Sequence, residues 1–155
     1  MDSIAAKFDL LSLVSDSNDN SVHLARKKNS NELFLLKCLK DNVSSGKETL
    51  NRRIRFRHEM DILAALDHPC IAHPVATFAD DRDLAILYPF RKGQTLACAF
   101  EQNMSFQEGD AIKVTLQFLD ALEYVHTRGI VHADINPHNI FLDEEKGGVN
   151  VKCCV

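Results

Sequence analysis

The sequence predicts an α+β fold in two parts, a strand-rich front and a mostly helical back. Three patterns carry that prediction. Short apolar or alternating runs separated by polar turn clusters fill most of residues 1–90, with a single helical pattern among them. A broad apolar stripe at helical spacing opens residues 91–155. A loop rich in His, Asp, Asn and Pro follows that stripe.

In chain order, Phe8 to Val14 is an apolar run. The cluster Ser15-Asp16-Ser17-Asn18-Asp19-Asn20-Ser21 separates it from the alternating Val22-His23-Leu24-Ala25, which is a hairpin signature. Asn29-Ser30-Asn31 makes a second turn, and Leu33 to Leu39 a third strand with Lys37 inside it. From about Thr49 to Leu66, the residues Phe56, Met60, Leu63 and Leu66 recur at helical spacing. Asp67-His68-Pro69 ends that helix, because proline disfavours helical geometry in the residue before it. Val75 to Phe78 and Leu84 to Phe90 read as two more strands around the turn Asp80-Asp81-Arg82-Asp83.

Ser105-Phe106-Gln107-Glu108 has the pattern of a capping box in front of a second long helix. Ile112, Leu116, Leu119 and Leu122, with Phe118 and Val125, place an apolar stripe along it, and Gly129 reads as its C-terminal cap. Ile140-Phe141-Leu142 and Val149 to Val155 predict a short β pair around Glu144-Glu145-Lys146-Gly147-Gly148.

Composition narrows the function. The chain has 155 residues, 45% hydrophobic and 26% charged, with a formal net charge of −4. That balance suits a globular domain with a core and argues against a nucleic-acid footprint. The densest basic run, Arg52 to His58, falls on a helical pattern and reads as a solvated face. No run approaches the length of a membrane span, no leader pattern opens the chain, and a cytoplasmic setting is expected. The five cysteines show neither C-x-x-C nor zinc-finger spacing and read as small apolar residues.

The chemistry lies in Ile130-Val131-His132-Ala133-Asp134-Ile135-Asn136-Pro137-His138-Asn139-Ile140. An aspartate and an asparagine five residues apart on a proline-stiffened loop offer a proton acceptor and a metal ligand. The segment resembles the protein-kinase catalytic loop H-R-D-L-x-x-x-N, and Ala121 to Gly129 resembles the helix that feeds it. Leu35-Leu36-Lys37 resembles the V-A-I-K strand, and Glu59 to Pro69 resembles the helix that kinases call αC together with its following turn. The resemblance implies a kinase-like two-lobe fold. A five-stranded antiparallel N-lobe sheet with αC would span 1–90, and an incomplete helical C-lobe 91–155. It also implies ATP with Mg²⁺ as ligand, bound between the lobes, and a protein substrate or kinase partner.

By the same resemblance, Asp134 would accept the substrate hydroxyl proton, and Asn139 would hold magnesium. Lys37, paired with Glu59, would neutralise the α- and β-phosphates. Tyr88 would be the gatekeeper, with the Pro89 carbonyl and the Arg91 amide at the adenine edge, Val22 above the base and Phe141 below. His126 and His132 read as structural, His132 bracing the loop.

The departures matter as much. Ser15, Ser17 and Asn20 stand where G-x-G-x-x-G is expected, with Asn able to adopt left-handed geometry as glycine does. Leu35 replaces a small alanine and should crowd the adenine. Ala133 replaces the arginine that pairs with a phosphorylated activation loop. Asn136 replaces a lysine that steadies the γ-phosphate. The D-I-N-P-x-N variant resembles kinase-like domains at the front of multidomain sensor proteins. The 155 residues contain no D-F-G, so a truncated domain is expected, with phosphoryl transfer by this chain alone improbable and association through the exposed helix 108–128. Three readings stay open: an enzyme fragment whose complete domain phosphorylates Ser/Thr, a non-catalytic kinase mimic that binds a partner, and a prematurely terminated product.

Overall fold

A computed structural model describes residues 4–40, 46–80, 83–143 and 150–153. These divide into two units, Met1–Ala65 with Pro74–Phe90, and Leu66–His73 with Arg91–Val155.

After a single helical turn, α1 (Ile4–Lys7), the first unit is a wholly antiparallel sheet built from β1 (Phe8–Asp16), β2 (Asn20–Lys27), β3 (Leu33–Leu39), β4 (Ala76–Ala79) and β5 (Leu84–Pro89). The spatial order is β1-β2-β3-β5-β4. The β2–β3 turn closes through Asn29 at φ 65°, a left-handed position that asparagine tolerates.

Alternation sorts the strands into two faces. On one, Leu36 lies among Phe8, Ala25, Ala85 and Leu87, flanked by Phe34, Cys38, Ala76 and Phe78. Phe8 meets Phe34 and Phe78 edge to face, with centroids 5.8 and 6.1 Å apart. On the other, register sets Leu35 opposite Tyr88 and Leu24, and Lys37 opposite Ile86 and Val22. Helix α2 (Gly46–Ala65) packs on β5 and buries Phe56, Met60 and Leu63. It starts three residues earlier than the apolar spacing predicts, since Gly46 to Glu48 lie outside the stripe.

Arg52 corrects the reading of the basic run. It is only 5% exposed. Arg53 donates to the Asp80 carbonyl at 2.7 Å. Only Arg55, Arg57 and His58 form the solvated side.

The second unit holds β6 (Gly93–Thr95), α3 (Leu96–Glu101), α4 (Glu108–His126), a 3-10 turn (Pro137–Asn139), β7 (Ile140–Asp143) and β8 (Asn150–Cys153). The three strands pair antiparallel in the order β6-β7-β8. The predicted β pair is therefore present with a third strand added; residues 144–149 of its turn lie outside the described residues.

The capping box is absent. Helix α4 begins at Glu108 with Gln107 as N-cap and no side-chain cap bond, which leaves Ser105 two residues too early. Its other end agrees with the glycine expectation. Gly129 has φ 73°, its N–H donates to the His126 carbonyl, and the Ile130 N–H donates to the Val125 carbonyl. That is the paired 5→2 and 6→1 closure of a Schellman motif.

Ala121 and Val125 of α4 are buried, whereas Ile112, Leu116 and Leu119 are exposed, Leu116 to 61%. Segment 66–73 is stitched to α4. His68 stacks on Tyr124 (4.8 Å) and contacts Asp120 (3.2 Å), and the Asp67 N–H donates to the Tyr124 hydroxyl (2.9 Å). The Gln117 side-chain oxygen accepts from the Val151 N–H at 2.9 Å and seats β8 against the helix. Asp143, which borders the polar turn, is 4% exposed and binds the Arg91 guanidinium at 3.0 Å. A buried carboxylate needs such a cation.

Candidate functional site: the Lys37–Glu59 pair and the Asp134 loop

In the first unit the Lys37 Nζ lies 2.5 Å from Glu59 Oε1, and both side chains are about a quarter exposed (25% and 24%). β3 supplies the lysine and α2 the glutamate. The ammonium also stands 5.7 Å from the centre of the Phe56 ring. A half-buried lysine needs an anion, and Glu59 supplies one while leaving an accessible cation for a further anionic group. Val22, Leu35 and Tyr88 share the Lys37 face of the sheet through the register given above. Pro89 ends β5 opposite Phe34. The Phe90 N–H donates to the Leu33 carbonyl, so Pro89 occupies a non-hydrogen-bonded pair with its own carbonyl turned away from β3.

The β1–β2 turn is closed on itself. The Ser17 N–H donates to the Asn20 carbonyl (2.9 Å), and the Asn20 N–H to Ser17 Oγ (3.1 Å). Asn20 takes no left-handed geometry: the described non-glycine residues with positive φ are Asn29, Asn103 and Ala133. Ser15 belongs to β1, opposite Val22. Two of the amides that a glycine-rich turn would aim at phosphates are thus used within this turn.

In the second unit, Asp134 is held by its own loop. Its N–H donates to His132 Nδ1 at 3.2 Å, which makes His132 the brace its position predicts. Asn139 Nδ2 donates to the Asp134 carbonyl and to Oδ2, both at 2.9 Å. Asn136 Nδ2 donates to Asp134 Oδ1 at 2.9 Å, and Asn136 Oδ1 accepts from the His138 N–H at 2.9 Å. Ala133 sits at φ 61°, a left-handed turn costing roughly 1–2 kcal/mol for an L-residue. The loop therefore presents an exposed carboxylate in one fixed orientation, with the Asn139 amide oxygen as a hard acceptor beside it. Arg91 and Phe141 lie in this unit too, Arg91 on Asp143 and Phe141 opposite Thr95 in β7.

The donor set suits a triphosphate with a divalent ion. Among the described residues no group of three or more His, Cys, Asp or Glu gathers as a cage. Magnesium accepts one or two protein oxygens when phosphates and water complete its shell. In the second unit Asn139 offers such an oxygen; in the first, Lys37 offers a cation for phosphate, and the β1–β2 turn contributes least.

A family model for the protein kinase domain matches residues 18–154. The chain belongs to the protein kinase family. It is 33% identical over 135 residues to the Aurora kinase of Dictyostelium discoideum, covering 87% of this chain and 34% of that protein. It is 32% identical over 143 residues to the human ribosomal protein S6 kinase alpha-2, covering 90% of this chain and 19% of the relative. Serine/threonine-protein kinase 36 of Pongo abelii is 28% identical over 148 residues, covering 96% of this chain and 11% of the relative. The chain thus spans about a third or less of the length of these kinases. No helix among the described residues is long and apolar enough to cross a membrane.

Lys40, Arg52 and Asp143 escaped the sequence reading, since the partner that gives each its role lies more than 20 residues away. Two cysteines of this kinase domain, Cys38 and Cys70, are less acidic than a free thiol. Burial, and secondarily the Asp83 charge, pushes the Cys38 thiol from 9.0 up to about 11; burial also raises Cys70. A rise of that size cuts the Cys38 thiolate fraction roughly 100-fold. Iodoacetamide at pH 8 should therefore label folded Cys38 at least about 50-fold more slowly than urea-unfolded chain. Mass-spectrometric site counting checks this; equal rates in both states would refute it.

Proposed function

We propose that this kinase domain binds ATP with Mg²⁺, and that the complete protein uses it to phosphorylate serine or threonine hydroxyls. The observation that carries the reading is the Lys37–Glu59 pair at 2.5 Å; the Asp134–Asn139 loop of the second unit adds the proton acceptor and the metal ligand. The names of the relatives, one of them a serine/threonine-protein kinase, support the hydroxyl class. When bound, ATP supplies the phosphoryl group and Mg²⁺ offsets its charge.

The chain's own residues do the rest. Glu59 holds Lys37 extended toward the α- and β-phosphates. Asn139 presents its amide oxygen to the metal while its Nδ2 steadies Asp134. Asp134, fixed by the two asparagines, accepts the proton of the incoming hydroxyl. Val22, Leu35 and Tyr88 would line the base, with Leu35 narrowing the space above it. Calorimetric titration tests the reading. ATP should bind weakly with Mg²⁺ present, and Asn139→Ala should weaken that binding by about tenfold, roughly 1.4 kcal/mol, only when Mg²⁺ is present. Identical affinity with and without Mg²⁺ in both proteins would remove the metal role.

A second reading is a non-catalytic nucleotide- or partner-binding module. Two observations favour it: the β1–β2 turn uses its own amides, and Asn136 supplies a neutral amide on Asp134 where the resemblance leads one to expect a lysine.

A further inference from the structure

Arg52 is a charged side chain at 5% exposure, and what it binds is a single turn. Its Nη2 donates to the carbonyls of Asn18 (3.2 Å) and Asp19 (3.1 Å). Its Nε stands 2.9 Å from Asp19 Oδ1, a charge contact too oblique for a hydrogen bond. Lys40, at the exit of β3, grips the same turn. Its N–H donates to the Asp19 carbonyl (2.8 Å), its Nζ donates to the Ser17 carbonyl (2.7 Å), and its ammonium pairs with Asp16. Three consecutive carbonyls, those of Ser17, Asn18 and Asp19, are thus drawn toward two cations.

A trans peptide points its C=O and the next N–H in opposite directions. Anchoring the Ser17 and Asn18 carbonyls therefore turns the N–H groups of Asn18 and Asp19 to the side away from the cations. Glycine would give such a turn freedom to aim its amides; here two basic side chains fix the aim instead.

Arg52 also lies seven residues before Glu59 on α2, two turns along the same helix face and about 10 Å away. One helix thus holds the turn through Arg52 and Lys37 through Glu59. We propose that Arg52 is a positioning residue: it locks the glycine-free β1–β2 turn to α2, so that the turn and the Lys37–Glu59 pair shift as one body. The lock stands on the geometry of the protein alone; its value for nucleotide rests on the ATP reading above.

Hydrogen exchange on the nucleotide-free protein tests the lock, and titration of ATP with Mg²⁺ then tests its use. Arg52→Gln should speed exchange of the Ser17, Asn20 and Lys40 amides at least tenfold, with the β3–β5 ladder unchanged. Glu59→Gln, which touches none of the turn, should speed the same amides in the same direction. Arg52→Lys should restore part of the protection. If Arg52→Gln does not fold, Asp19→Asn at its half-exposed position should produce a smaller rise at the same amides. Unchanged turn exchange in folded Arg52→Gln or Asp19→Asn overturns the lock, and a rise with Arg52→Gln but none with Glu59→Gln overturns the single-body coupling. ATP affinity of Arg52→Gln should fall about tenfold. A wild-type protein that binds no ATP overturns the nucleotide reading, and the exchange results then still decide the lock.

Discussion

Replacing Lys37 with methionine should abolish the ATP-dependent rise in melting temperature that the proposed nucleotide site predicts. Methionine keeps an unbranched apolar stem one atom shorter than the lysine, while the ammonium that faces the Phe56 ring is lost. In the wild type, ligand at about 100 times its Kd stabilises the folded state by about 2.7 kcal/mol. For a chain of this size that corresponds to roughly 5–10 °C. The substitution also strips Glu59 of its partner. The melting temperature of the ligand-free variant is therefore the reference for its own titration. An undiminished rise in the Lys37→Met protein would remove the proposed site.

Gly93→Ala should be the most damaging added methyl among the described glycines. Gly93 opens β6 at φ 145°, a backbone region closed to L-residues. A Cβ there would lie 2.0 Å from the Leu142 carbonyl oxygen and 2.9 Å from the Phe141 ring. The carbonyl is backbone of β7, which is paired on both sides, so it cannot turn aside without disturbing the sheet. Overpacking and backbone strain each cost about 1–3 kcal/mol, so a loss of about 2–6 kcal/mol is expected. The melting temperature should fall by more than about 5 °C. Gly109→Ala is the control: it lies in α4 with open space around the added carbon, and it should hold or raise stability by up to about 1 kcal/mol. Equal melting temperatures for the two variants would contradict the close approach at Gly93.

The sheet of the first unit was legible because its strands are short apolar or alternating runs separated by polar clusters; its antiparallel order followed from the kinase resemblance. Lys37 and Glu59 were legible for the same reason, and they meet. What stayed hidden were charges whose surroundings come from distant chain. Arg52 sits in a run of basic residues that looks uniformly solvated, and only the turn at Asn18 and Asp19, more than 30 residues upstream, makes it a core residue. Asp143 borders a polar turn, and its burial is set by Arg91, 52 residues away. β6 and α3, at three and six residues, are too short for periodicity to register. The capping box failed because the helix starts at Glu108 rather than Phe106, a shift of two residues that local propensity does not resolve.

The excursion of segment 66–73 has a consequence for how the protein is made. Those eight residues emerge from the ribosome between α2 and β4, yet their partners lie far downstream. The Asp67 N–H waits for Tyr124, 57 residues later, and the Pro69 carbonyl waits for Lys152, 83 residues later. At synthesis rates of about 5–20 residues per second, the buried Cys70 waits roughly 2–9 s for Gln117, 47 residues later, in the nascent chain. Ribosome-bound intermediates should therefore be open to protease between Leu66 and Ile71 until α4 and β8 have emerged.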